Sequence, residues 1–150
     1  MEQQAQAFGN MIKLMLMGMG MLSKGFYQKY GKEAIPIITE VMSQGGVEFG
    51  KSMQAMAPVK DMKALGEQFN MLSSITNMGM EVVELSDDKL HFKMPQCPFG
   101  TEGTSKELCE AMMAVDEKRV STFLGQEVDM KILKSVAAGD KECEVIFSIK

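Results

Sequence analysis

The chain has 150 residues, of which 45% are hydrophobic and 24% are charged, and its formal net charge is −4. This composition is close to the globular average, so it excludes a disordered or fibrous chain, and the size predicts a single domain over residues 1–150. Only one of the 16 basic residues is an arginine, Arg119, and the 20 acidic residues outnumber the basic ones. Because nucleic-acid binding depends on arginine and on a basic surface, we do not expect a nucleic-acid partner.

The first predicted element is a long helix over about residues 3–30. Apolar residues recur there at helical spacings, and Gly31 is expected to end the helix. Its most apolar stretch, Leu14–Leu22, has nine residues, whereas a membrane span needs about 20. Glu2 precedes the stretch and no small-residue cleavage site follows it, which is not typical of a secretion signal. We therefore expect no membrane insertion and a buried helix.

Three further helices are predicted in the first half, which covers residues 1–77. The second runs from Lys32 to Gln44 and is expected to end at Gly45-Gly46. A third covers about Val47–Ala57, and a fourth starts at Pro58 and reaches about Leu72. The helical half is thus predicted to contain four helices.

The pattern changes to strands in residues 78–150. Alternating residues on either side of Ser86-Asp87-Asp88 predict a hairpin, and a second hairpin is predicted over Glu127–Val136 and Glu142–Ile149. Between them, Thr104 and Glu107 have the spacing of a capping box and start a helix predicted over Ser105–Leu124. The fold class is therefore α+β, with the N-terminal helices packed on an antiparallel four-stranded sheet and one helix between its two hairpins.

Methionine is unusually frequent, with 17 residues, and tryptophan is absent. These flexible thioethers either fill the core or line a plastic surface, and core filling is the interpretation that we favour. Met15, Met17, Met19 and Met21 alternate around the first helix, so one sheet cannot cover all of them. We therefore expect a homodimer formed through this helix.

Three cysteines, an odd number, are too few for a disulfide framework and indicate a reducing, cytoplasmic location. Cys97 is in the loop before the last helix, Cys109 is near the start of that helix, and Cys143 is on the last strand. We expect the three to lie near one another, with Asp116 at the edge. They are interpreted either as buried packing thiols or as zinc ligands completed by one further side chain: Asp116, Asp140 or His91.

His91, the only histidine, is expected to be an exposed strand residue, because no nucleophile motif lies near it. The glycines form no nucleotide-binding motif.

Several motifs resemble the L-2-amino-thiazoline-4-carboxylic acid hydrolase-like family. They are KMPQCPFG over residues 93–100, ELCEAMMAVDEK over 107–118, KSVAAGDKECEVIFSI over 134–149, and the stretch from Tyr27 to Ala34. The closing GD-x-x-C hairpin is also similar to 4-vinyl reductase-type domains, a ligand-binding fold related to nitric-oxide-sensing and Golgi-transport proteins.

The resemblance implies hydrolysis of a small cyclic C–N/C–S substrate, with Cys109 as nucleophile or Asp116 activating water, or with a bound metal. It also implies zinc as a candidate cofactor, because some 4-vinyl reductase-type relatives hold zinc through cysteines that correspond to Cys109 and Cys143. The chain departs from that pattern at Met112-Met113 and between Lys131 and Gly139, where no further cysteine occurs, so Cys97 would have to supply a ligand.

The alternative function is a non-catalytic sensor module that binds a small apolar molecule, or a metal. The expected partners are accordingly an apolar or thiazoline-like small molecule and a second copy of the chain. The residues alone do not decide between enzyme and binding module.

Overall fold

The computed structural model describes residues 1–150 and confirms the α+β fold class. The elements, in chain order, are α1 (Glu2–Tyr30), α2 (Ala34–Met56), α3 (Met62–Thr76), β1 (Glu81–Leu85), β2 (Lys89–Met94), α4 (Lys106–Leu124), β3 (Val128–Lys134) and β4 (Cys143–Ile149). The strands form one antiparallel sheet in the order β1-β2-β4-β3. No helix has both the length and the apolar character needed to cross a membrane.

The prediction of four N-terminal helices is wrong, because there are three. The predicted second and third helices are one continuous helix, α2, that passes through Gly45-Gly46. The physical reason is tertiary: a Cβ on Gly46 would lie 2.3 Å from the carbonyl oxygen of Val115, and one on Gly50 would lie 2.8 Å from that of Arg119. These two glycines let α2 approach the backbone of α4 closely, so they are packing residues within a helix and not a helix end.

The ends of the other helices follow local capping chemistry. Gly31 ends α1 as predicted, with a φ of 62°. Asp61, and not Pro58, starts α3, because its carboxylate accepts a hydrogen bond from the Ala64 amide at 2.8 Å. The cap of α4 is Ser105 and not Thr104, since the Ser105 hydroxyl accepts from the Leu108 amide at 3.1 Å.

Both predicted hairpins form, and β4 lies inside the sheet, paired with β2 on one side and β3 on the other. Buried residues of β2 and β4 face α3, where the rings of Phe69, Phe92 and Phe147 lie 5.8–6.1 Å apart. This aromatic cluster is part of one buried core that also includes side chains of α2 and α4.

Helix α1 is held by two glycine contacts. Gly9 touches the carbonyl group of Ile75 at the end of α3, and Gly20 touches the carbonyl group of Phe99 in the loop before α4. The expectation of a buried helix is wrong, because Gly9 and Gly20 are the only buried residues of α1 and much of its opposite side is apolar and exposed. The helix therefore lies across the end of α3 and the Phe99 loop as an outer wall.

Candidate functional site

The main candidate site is a partly open cavity of about 530 Å³ lined by α1, α2, α3, α4, the sheet and the loop around Phe99, which we call the central cavity. Of its 29 lining residues, 21 are hydrophobic. Pockets for small organic molecules are typically about 300–1,000 Å³ and mostly apolar. The central cavity therefore has the size and the chemistry of a site for a small apolar molecule.

Sulfur is concentrated in the wall of this cavity. All three cysteines line it, together with seven methionines: Met11, Met15, Met19, Met78, Met80, Met94 and Met113. Six methionines are also buried, namely Met42, Met53, Met62, Met78, Met112 and Met113. The methionines thus have both of the roles considered from composition, filling the core and lining a deformable surface.

The three cysteines line this wall from a loop, a helix and a strand. Each is partly buried and free of disulfide bonds. Burial is the main cause that raises the pKa of the Cys109 thiol, and the contact with Ser135 opposes it. Burial likewise raises the pKa of Cys143 to about 11, with smaller contributions from the neighbouring Cys97 and Cys109. At neutral pH Cys109 and Cys143 are therefore protonated thiols, which are weak nucleophiles.

The same thiols do not fit a zinc site in this arrangement. The structure contains no group of three or more histidine, cysteine, aspartate or glutamate side chains that could hold one metal ion. The Cys97 thiol is hydrogen-bonded to the Thr101 hydroxyl at 3.3 Å. Zinc binding by Cys97, Cys109 and Cys143 stays a prediction.

Asp116 and Arg119 are two of the three charged residues of the lining. They are one turn apart on α4 and are joined by an ion pair between Asp116 Oδ1 and Arg119 Nη2. The Cζ atom of Arg119 lies over the Phe69 ring at 4.4 Å from its centroid and over the Phe49 ring at 5.2 Å. The Nε–H of Arg119 is buried without a hydrogen-bond partner. Asp116 therefore already has a cationic partner, which disfavours a role as a general base.

The remaining candidates from the sequence lie outside the cavity. The expectation of an exposed His91 is wrong, because its side chain is 16% exposed and its Nε2 lies 2.8 Å from Glu144 Oε1. This contact is the main cause that lowers the pKa of Glu144. Asp140 has a structural role, since its carboxylate accepts a hydrogen bond from the Ser135 amide in the turn between β3 and β4.

Lys134 is at the edge of the cavity and contacts two carboxylates of the sheet. Its Nζ atom is 3.2 Å from Glu142 and 3.4 Å from Glu144. The two cations of the cavity lining, Lys134 and Arg119, are therefore both paired with acidic groups.

Sequence reasoning missed Arg119 and the two rings that cover it. Asp116 was identified, and a residue of opposite charge three positions later on a helix is a recognisable ion-pair signal. Phe49 and Phe69 come from other helices, so their contacts with Arg119 required the tertiary structure.

Comparison with known proteins gives one family and a number of similar solved structures, of which two are described here. The family model described as L-2-amino-thiazoline-4-carboxylic acid hydrolase matches residues 4–147. The phenol-responsive sensory domain of the transcription activator PoxR, crystallised with phenol, has a TM-score of 0.65 at 15% identity, over 89% of this chain and 74% of that one. Trafficking protein particle complex subunit 3 from Naegleria fowleri, covalently bound to palmitic acid, has a TM-score of 0.63 at 15% identity, over 93% of this chain and 95% of that one. Among proteins of curated function, none matches the sequence.

Proposed function

This chain belongs to the L-2-amino-thiazoline-4-carboxylic acid hydrolase family, and we propose that it is a binding module that holds a small apolar molecule in the central cavity. The observation that carries the proposal is the cavity itself, with about 530 Å³ of volume and 21 hydrophobic residues among the 29 that line it. Burial of apolar surface supplies the binding free energy, at about 25 cal/mol for each Å² removed from water.

The two similar folds support the same class of function. One is described with phenol and the other with palmitic acid, both of which have a largely apolar body. At 15% identity this likeness extends to the fold only, so the identity of the ligand is not transferred.

Hydrolysis is the second candidate, and family membership is what favours it. A nucleophilic mechanism would need Cys109 as a thiolate with a base beside it, and a water mechanism would need Asp116 free to accept a proton. Burial keeps Cys109 protonated, Arg119 occupies Asp116, and His91 does not line the cavity. A thiazoline carboxylate is also charged, which matches poorly with a mainly apolar wall. Ring opening of this compound, followed by NMR and lost in Cys109→Ser or Asp116→Asn, would establish the hydrolase instead.

We also propose that the protein is a homodimer formed through the exposed side of α1. Leu14, Met21 and Leu22 are each more than 60% exposed, and Ile37 and Val41 of α2 are more than 50% exposed. Only one charged residue, Lys13, occurs between Phe8 and Leu22. Exposed apolar patches of this extent are typical of protein interfaces.

The binding proposal is tested with naphthalene, a neutral apolar probe whose fluorescence is read easily because the chain has no tryptophan. Gly45 lines the cavity, and a Cβ at this position meets no atom within 4 Å, so Gly45→Phe adds a ring at the cavity wall. Gly25→Phe is the matched control, since Gly25 is also in open space but does not line the cavity.

We expect the wild type and Gly25→Phe to bind naphthalene with the same affinity and Gly45→Phe to bind it more weakly. Failure of the wild type to bind, or equal binding by all three proteins, would contradict the proposal.

A further inference from the structure

Arg119 is the most unusual charged residue in the molecule. It is the only arginine of the chain, it is 7% exposed, and it lines a cavity whose wall is otherwise mainly apolar. An arginine in such a place is costly unless its donors find partners. The donors of Arg119 that lack a partner therefore indicate which chemical group a ligand in the cavity carries.

Most of its donor capacity is unused within the protein. A guanidinium group has five N–H donors, whereas Asp116 is the only acceptor that pairs with Arg119, and the Nε–H has none. The neighbouring Phe49 and Phe69 present ring faces, which attract the cation but do not replace an oxygen acceptor. The Nε–H is closed to solvent, so a ligand oxygen at this end of the cavity would accept from the Nη donors that Asp116 leaves unpaired.

The charges around the cavity indicate which kind of oxygen that is. Asp116 neutralises Arg119, and Glu142 and Glu144 neutralise Lys134, so no cation is left to balance an anionic ligand. A carboxylate would add an uncompensated charge next to Asp116 in an apolar cavity. A neutral oxygen would satisfy the donors without that cost.

On the basis of the proposed function, we propose that the ligand is an uncharged apolar molecule with one hydroxyl or carbonyl oxygen, and that Arg119 donates a hydrogen bond to this oxygen.

Three probes with the same apolar body test this assignment: naphthalene, 2-naphthol and 2-naphthoate. Titration calorimetry at neutral pH should give tighter binding of 2-naphthol than of naphthalene, by about tenfold to a hundredfold, as expected for a hydrogen bond to a charged donor. Binding of 2-naphthoate should be weaker than that of 2-naphthol. If 2-naphthoate binds most tightly, or if naphthalene and 2-naphthol bind equally, the assignment is wrong while the proposed function stands. If naphthalene itself does not bind, the proposed function fails as well.

A double variant tests whether Arg119 is the donor. Asp116→Asn with Arg119→Met removes both charges together, so that neither is left buried and unpaired. We expect this variant to bind naphthalene nearly as well as the wild type does and to lose the preference for 2-naphthol. A preference kept at its wild-type size would overturn the role of Arg119.

Arg119→Lys is the second variant, for use if the double variant does not fold. Lysine preserves the charge opposite Asp116 but lacks the planar guanidinium, whose two Nη groups can donate to Asp116 and to the ligand at the same time. We expect the preference for 2-naphthol to fall with Arg119→Lys, and an unchanged preference would contradict the assignment.

Discussion

The contact between α1 and the Phe99 loop gives the sharpest stability prediction. Gly20→Ala adds a single methyl group at a helical position. Its Cβ would lie 1.7 Å from the carbonyl oxygen of Phe99 and 2.6 Å from the carbonyl carbon. Because the obstacle is backbone and not the end of a flexible side chain, α1 and the loop must separate.

The size of the effect follows from two opposing terms. A carbon–oxygen contact needs about 3.3 Å, so the separation has to grow by more than an ångström. Overpacking of this kind costs about 1–3 kcal/mol, and the close approach at Gly20 places it near the upper end. Replacing glycine by alanine within a helix stabilises the helix by about 1 kcal/mol. We therefore expect Gly20→Ala to lower the free energy of unfolding by about 2 kcal/mol.

Gly18→Ala, on the same helix, is the matched control. A Cβ on Gly18 meets no atom within 4 Å, so only the helix-propensity term applies, and the free energy of unfolding should rise by about 0.5–1 kcal/mol. Urea denaturation of the two variants measures both values. A Gly20→Ala protein as stable as the wild type would refute the close contact between α1 and Phe99.

Three other predictions concern charges, thiols and association. Hydrogen bonding by His91 lowers the pKa of Glu144 from 4.5, so the stability that this carboxylate contributes is present above pH 4.5 and is lost as the pH falls below it. Urea denaturation at a series of pH values should show that Glu144→Gln removes this part of the acid sensitivity. The pKa of Cys143 is raised from 9.0 to about 11, so its contribution to stability is present below pH 9 and declines between pH 9 and about 11, and Cys143→Ser should flatten this decline; equal slopes in both proteins would contradict it. For the dimer, sedimentation should give twice the chain mass of 16.6 kDa for the wild type and the monomer mass for Leu14→Glu with Leu22→Glu, and a monomeric wild type at micromolar concentration would refute it.

Much of the fold could be predicted because its signals are local. The change from helices to strands after Asn77, the hairpin turns and the span of α4 all follow from residue spacing and turn chemistry over a few positions. The presence of Cys109 and Cys143 in one wall could also be expected, because a helix that covers a sheet brings its first turns near the start of the last strand.

The misassigned features depend on distant contacts. Gly45-Gly46 reads as a helix end in isolation, and only the backbone of α4 facing Gly46 explains why the helix continues. The spacing of residues in the sequence also could not predict the cavity or the burial of Arg119, because the two rings that cover Arg119 belong to α2 and α3. Local sequence patterns determine the helices and strands, whereas the central cavity forms where distant helices and strands pack together.

The seven methionines of the cavity wall have a consequence for how selective binding can be. Each of these side chains has several rotatable bonds, so the wall can adapt its shape to different ligands. Fixing a methionine in one rotamer costs entropy, up to about 2 kcal/mol for the most flexible side chains, and a guest that fits better fixes more of them. Along a series of related guests, gains in enthalpy should therefore be offset by losses in entropy, and affinity should vary less with the shape of the guest than either quantity does alone.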